Sequence, residues 1–198
     1  MDCLILLAHP KGESLNHALA QAVRQRLLDR GHCVYFHDLY QEGFDPLLTA
    51  QELSEDFEPQ GLLKVHCHQL VRSDLVVVVH PNYRNQAPAM LKGWVDRVIR
   101  SGVAFRYEGE AGERGEQVGL LGGKSALVIN TADCPEESDR KYGFPIRKFW
   151  EKFVFGNSGI ENCYYRSFYN VLFSSLQERE SWITECGELA DQALNSVS

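Results

Sequence analysis

The chain has 198 residues, 44% of them hydrophobic, and a formal charge of −7 at pH 7. That is one domain's worth of sequence, residues 1–198, with enough apolar content for a sizeable core, and its acidity argues against a nucleic-acid partner. No apolar run approaches the roughly 18 residues of a membrane span, and Met1-Asp2-Cys3 has no positively charged leader character, so the expected location is cytoplasmic.

Residues 3–8, Cys-Leu-Ile-Leu-Leu-Ala, read as a buried strand. The loop His9-Pro-Lys-Gly-Glu-Ser-Leu-Asn16 follows, with Ser14 placed to cap a helix. Leu15, Ala18, Leu19, Ala22, Val23 and Leu27 then share one helical face, and Gly31 supplies a stop. A helix N-terminus has free N–H groups and positive dipole character that suit a phosphate. His9, Lys11, Ser14 and Asn16 add side-chain donors; an ordinary capped helix under a solvated loop is the alternative.

Residues 33–38 read as a second strand, and the acidic, irregular stretch 40–59 holds at most a short helix near 49–53. A helix is predicted over 60–72, with Leu62, Leu63, His66, Leu70 and Val71 on one face. On that helix His66 and His68 do not face each other, so the run His66-Cys67-His68 is not read as a metal site.

Leu75-Val-Val-Val-Val79 is a buried strand that Pro81, lacking an N–H for the sheet, is expected to stop. Asn82, Asn85 and Gln86 make a polar turn, and Pro88 opens a helix to about residue 100 with Leu91, Trp94, Val95, Val98 and Ile99 inward. A polar loop between the carboxyl end of a strand and a helix is where open α/β sheets bind ligands. Residues 104–107 with 109–123 suggest a surface hairpin, and residues 124–131 a fourth strand followed by a polar loop over 132–143. Pro145 starts a helix carrying Ile146, Phe149, Trp150 and Phe153 and ending near Gly156. Residues 162–168 are the fifth strand, and Ser175-Leu-Gln-Glu178 forms a capping box for a last helix through Ile183, Cys186, Ala190 and Leu194.

This alternation predicts an α/β fold, a five-stranded parallel sheet with helices on both faces. In the doubly wound, flavodoxin-like order 2-1-3-4-5, the long polar loops after strands one, three and four converge on one edge. The six cysteines are scattered without a Cys-x-x-Cys pair and read as reduced structural thiols; Cys134, in a loop, is the reactive candidate.

Ala8-His9-Pro10 with Ser14-Leu15-Asn16, His80-Pro81, Pro88-Ala-Met-Leu-Lys-Gly-Trp94 with Asp96-Arg97, and Phe105-Arg-Tyr107 carry a family likeness. On them the chain resembles, over nearly its whole length, the flavodoxin-like NAD(P)H:quinone oxidoreductases. The resemblance implies a bound flavin (FAD or FMN), NAD(P)H as reductant, a quinone-like acceptor and a homodimer. By it, His9, Ser14, Leu15 and Asn16 wrap the flavin phosphate. Pro81, Asn82, Tyr83, Arg84 and Asn85 run along the ring with backbone N–H groups toward its polar edge, and Asn130, Thr131, Ala132 and Asp133 close the far side. Arg84 is a catalytic candidate for stabilising charge on the reduced ring, and Tyr142 for a hydroxyl near the acceptor; a plain loop aromatic is the alternative for Tyr142.

Two stretches depart from the family pattern. Asn82-Tyr-Arg-Asn85 stands where the family usually has Gln-Trp, and Asn130-Thr-Ala-Asp-Cys-Pro-Glu-Glu137 where quinone reductases usually have Thr-Thr-Gly-Gly. These bear on acceptor choice more than on flavin binding, which rests largely on backbone donors. The stretch 40–59 is long enough to meet an adenine, which tilts the expectation toward FAD. The expected chemistry is a ping-pong hydride relay from NAD(P)H through the flavin to the acceptor. A non-enzymatic flavin carrier, or a flavin-binding regulatory subunit of a membrane transporter, is the alternative. The aromatic run Phe144, Phe149, Trp150, Phe153, Phe155, Tyr164, Tyr165, Phe168 and Tyr169 exceeds what one helix and one strand need, which points to a dimer interface.

Overall fold

The computed structural model describes residues 1–54, 56–109 and 115–197. In chain order the elements are β1 (Asp2–Leu7), α1 (Leu15–Asp29), β2 (Cys33–Asp38), α2 (Gly61–Arg72), β3 (Leu75–Pro81) and α3 (Ala89–Val98). Then come β4 (Phe105–Glu108), β5 (Glu116–Gly119), β6 (Ser125–Thr131), α4 (Glu136–Lys141), α5 (Pro145–Lys148), β7 (Asn162–Phe168) and α6 (Leu176–Asn195). β4 and β5 form a separate antiparallel hairpin, whose tip lies outside the described residues. The other five strands make one parallel sheet in the order β2-β1-β3-β6-β7. Counted without the hairpin, this is the doubly wound order 2-1-3-4-5 of the flavodoxin-like fold.

Alternation along the central strands divides the core in two. Leu4, Leu6, Val76, Val78, Ala126 and Val128 pack against α2, α3 and Trp150. Ile5, Leu7, Val77, Val79, Leu127 and Ile129 pack against Leu19 and Val23 of α1 and Cys186 and Ala190 of α6. Every residue of β3 and β6 is buried, which is why these strands read as unbroken apolar runs rather than as alternating ones. Among the described residues no helix is long and apolar enough to cross a membrane.

Several expectations shift. β3 does not stop before Pro81 but includes it, paired with Thr131. Ala8 N–H donates to Val79 C=O, and Asn82 N–H donates to Thr131 C=O at 2.7 Å. Pro81 therefore turns its missing N–H toward β1, which has already ended at Leu7. On α2 the inward stripe is Leu63, His66, Cys67 and Leu70, while Leu62 and Val71 are exposed. The polar stretch after β6 contains the short helix α4, absent from the sequence-based expectation. After α5 the backbone widens into a π-helical turn, Phe149–Phe155. Trp150, Val154 and Phe155 then face the core and Phe153 is 66% exposed. Of the nine aromatics in the run Phe144 to Tyr169, Trp150, Phe155 and Phe168 are buried outright, and Phe149, Tyr164 and Tyr165 pack half-buried against the core.

His80 explains part of this packing. It is fully buried at the end of β3, with Nδ1 2.9 Å from Pro81 O and Nε2 receiving the Trp150 indole N–H at 2.9 Å. One ring nitrogen donates and the other accepts, so the ring is satisfied only when neutral. Burial pushes its pKa down to about 4. Between that value and the ordinary 6.5 the unfolded chain binds a proton that the folded one refuses, so stability falls as pH drops through this window. We expect a loss of about 3 kcal/mol from this group between pH 7 and 4. Urea unfolding at both pH values should show it, and His80→Asn should remove about that much of the difference.

Candidate active site

The loops that leave β1, β3 and β6 meet at the carboxyl edge of the sheet. They enclose a cleft of about 280 Å³ lined by His9, Ser14, Leu15, Asn16, Pro81, Asn82, Tyr83, Thr131, Ala132 and Asp133, together with Val171 and Leu172. Ten of the expected flavin-contacting residues thus come together around one opening.

Ser14 caps α1 as expected, accepting from the His17 N–H. The first turn of the helix holds no acidic residue, so its positive end is not neutralised from within. Asn16 is 3% exposed and donates from Nδ2 to Thr131 Oγ1 at 2.9 Å, tying the β1 loop to the β6 loop. Asn16 Oδ1 has no partner. Because Thr131 can donate or accept, either orientation of the amide leaves one Asn16 polar atom for a guest. A buried polar atom without a partner costs about 1–3 kcal/mol, which an occupant of the cleft would recover.

The β3 loop is a tight two-residue turn. Tyr83 and Gln86 exchange backbone hydrogen bonds of 3.0 and 3.1 Å around Arg84 and Asn85, whose φ angles are +56° and +60°. Left-handed backbone at Arg84 is costly for a side chain of that size. Asn82 Oδ1 holds the turn by accepting the Asn85 N–H at 2.8 Å. The N–H groups of Tyr83 and Asn85, expected to reach a ligand, are thus spent inside the turn. Arg84 and Asn85 do not line the cleft; Arg84 is exposed and Asn85 half-buried beside it.

Asn130 also lies off the cleft. It is fully buried beneath it, donating to His80 O at 3.2 Å and accepting from Ser167 Oγ at 3.0 Å, so it braces the strand ends. Asp133 accepts from the Leu172 N–H and anchors the turn after β7 that supplies Val171 and Leu172. Those two residues were missed because an apolar pair after the last strand looks like any core-edge turn. Tyr142 caps α4, is 64% exposed and is not among the lining residues. Burial, then the nearby Asp139 carboxylate, pushes the Cys134 thiol up, away from the reactive thiolate.

Away from the cleft, His37, Glu42 and His66 offer ligand atoms close enough together for a metal ion. The hydrogen bonds oppose that use. Trp94 Nε1 donates to His66 Nδ1 at 3.0 Å, so neutral His66 carries its hydrogen on Nε2, the atom 3.0 Å from Glu42 Oε1. His37 faces the acceptors Glu42 and Gln69 on its two nitrogens. Against the cost of burial, His37 and His66 hold the Glu42 carboxyl down at about 2, and Glu42 and Gln69 raise His37. The cluster is held together by the hydrogen bonds of His37 to Glu42 and Gln69, with His66 packed beside it. The six cysteines are free.

The residues present suit a flavin: the amino end of α1 would offer N–H groups to a phosphate, and Asn16 has an unpartnered amide atom in the lining. A protein-family model described as the flavodoxin-like fold matches residues 1–186. The chain is 30% identical over 198 residues, 97% of its length and 93% of the relative's, to an uncharacterized NAD(P)H oxidoreductase of Haemophilus influenzae. It is 32% identical to an FMN-dependent NADH:quinone oxidoreductase of Ralstonia nicotianae, over 67% of this chain and 58% of that one. Among solved structures, an NAD(P)H:quinone oxidoreductase from Methanothermobacter marburgensis has the same fold with a TM-score of 0.79 at 22% identity, covering 96% of this chain and 94% of that one. The chain belongs to the flavodoxin-like family of NAD(P)H:quinone oxidoreductases.

Proposed function

We propose that this protein is a flavin-dependent NAD(P)H dehydrogenase that reduces quinones or similar flat acceptors. The observation that carries the reading is the convergence of three loops on the amino end of α1, with Asn16 left holding an unpartnered polar atom. A bound flavin would supply hydride transfer from NAD(P)H to the acceptor. The chain's own part is to bind and orient: Ser14 and Asn16 hold the phosphate end, and Pro81 and Ala132, both buried, offer backbone and flat surface to the ring. Reductant and acceptor are proposed to meet the flavin in turn, in ping-pong order.

FMN is the proposed form. The Ralstonia relative is named as FMN-dependent. The segment that was to meet an adenine is committed elsewhere: Phe44 is buried under Arg97, and Arg97 Nε donates to Glu52 at 3.0 Å. The purified protein should be yellow and release FMN on acid precipitation. NADH or NADPH should bleach the flavin band, and quinone should restore it, with parallel double-reciprocal plots. A flavin that nicotinamide does not reduce would point to an electron carrier instead.

Arg84 is kept as the proposed cation near the reduced ring because it is exposed and directly follows Tyr83, the last lining residue of this loop. Arg84→Ala should slow flavin reduction at least tenfold in stopped flow while stability changes little; an unchanged rate removes Arg84 from the mechanism.

A homodimer is proposed through the hairpin side. Tyr107 is 62% exposed there, beside a groove of about 660 Å³ lined by Phe57, Phe105, Arg100 and Arg106. Light scattering at micromolar concentration should give twice the 22.5 kDa chain mass, and Tyr107→Glu should lower it. A cytoplasmic location is proposed on the six unbridged cysteines.

A further inference from the structure

Ser14, His17 and Asp38 form an unbroken hydrogen-bonded chain beneath the amino end of α1. Asp38, at the end of β2 and 7% exposed, accepts the backbone N–H groups of Tyr40 and Gln41 on Oδ1, both at 3.1 Å. Its Oδ2 lies 2.8 Å from His17 Nε2. A carboxylate has no hydrogen to give, so Nε2 carries one. The other ring nitrogen, Nδ1, lies 2.8 Å from Ser14 Oγ.

Two arrangements of hydrogens satisfy these contacts. With one ring proton, Nδ1 accepts, and the single O–H of Ser14 is spent on His17. With two, Nδ1–H donates to Ser14 Oγ, and the Ser14 O–H turns toward the cleft that Ser14 lines. The first arrangement shows an incoming anion a lone pair; the second offers it a donor. Asn16, two residues on, lines the same cleft, is almost wholly buried and has an unpartnered amide atom.

We infer that a phosphorylated ligand entering this cleft takes up one proton at His17, with Asp38 fixing the ring and Ser14 passing the change on to the phosphate. The inference rests on the flavin reading of the cleft and deepens it. The proton comes from solvent to Nδ1, and no covalent bond of the ligand changes. The groups facing His17 are Asp38 from β2, Ser14 at the helix cap, and His9 from the β1 loop, its ring edge-on at 6.2 Å. The positive end of α1 opposes a charge on His17, whereas Asp38 and the arriving phosphate favour it. Histidine is the side chain whose charge changes most readily between pH 5 and 8. His17 is thus a positioning residue acting through Ser14.

The test is FMN titration of flavin-free protein across this pH range, with proton uptake measured by calorimetry in two buffers of different ionisation enthalpy. The wild type should take up as much as about one proton per FMN, and its Kd should weaken with rising pH by up to about tenfold per unit. His17→Asn and Ser14→Ala, each checked for fold by circular dichroism, should bind FMN more weakly, with both effects lost. Riboflavin, which has no phosphate, should bind the wild type without uptake. Equal uptake in the wild type and both variants would put the proton on the ligand's own phosphate and overturn the inference, as would no uptake in the wild type; either leaves the flavin reading standing. Absence of FMN binding at every pH overturns both.

Discussion

All five strands of the main sheet run the same way, so every carboxyl end opens on one edge, and the rest of the molecule is arranged around that constraint. β1 and β3 are neighbours, yet the chain leaves them in opposite directions. From β1 it crosses to α1, in the core layer shared with α6; from β3 it crosses to α3, in the layer shared with α2. Two adjacent strands that send their helices to opposite faces leave a crevice between the departing loops. The cleft is that crevice, and the Asn16–Thr131 hydrogen bond spans it.

The walls are held from below by groups that never reach the cleft. His80 receives the Trp150 indole and lies against Pro81, and Asn130 joins the carbonyl of His80 to Ser167 on β7. The carboxyl ends of β3, β6 and β7 are thereby bound into one unit. On the same face of the sheet Gly93 of α3 serves a packing purpose: a Cβ there would collide with the backbone and ring of Pro46. Only glycine lets the segment after β2 lie this close to α3. That contact, with the Arg97–Glu52 pair, keeps this segment on the helix surface.

What was legible in the sequence follows from which forces are local. The boundaries of β2 and β7, the Ser14 cap and the Ser175–Glu178 capping box were all readable, because apolar runs and caps are decided by a few adjacent residues. The convergence of loops was readable too, since sheet order follows from chain alternation. The π-helical turn was not: it sets Trp150, Val154 and Phe155 inward by a wider winding, and an α-helical period misplaces Phe153. Nor was the role of Asn130, which the family resemblance set against the ligand but whose partners are 37 and 50 residues away. His17 was passed over because its partner Asp38 lies 21 residues on, in another strand.

The histidines show how this fold separates packing from proton chemistry. His66 and His80 each accept an indole N–H, from Trp94 and Trp150 respectively, and are deeply buried. A ring that must accept cannot be fully protonated without breaking that bond, and burial lowers the pKa of both. These two are fixed in one state and act as shaped, hydrogen-bonding pieces of core. His17 is placed differently. Its partners are a carboxylate, which accepts only, and a hydroxyl, which can reverse its direction. Such a ring is satisfied with one proton or with two, and Ser14, which bonds the ring and lines the cleft, would carry the difference. The proposed two-state hydrogen-bond chain thus sits at the sheet edge beside the cleft, whereas the indole-bonded histidines are held to one state.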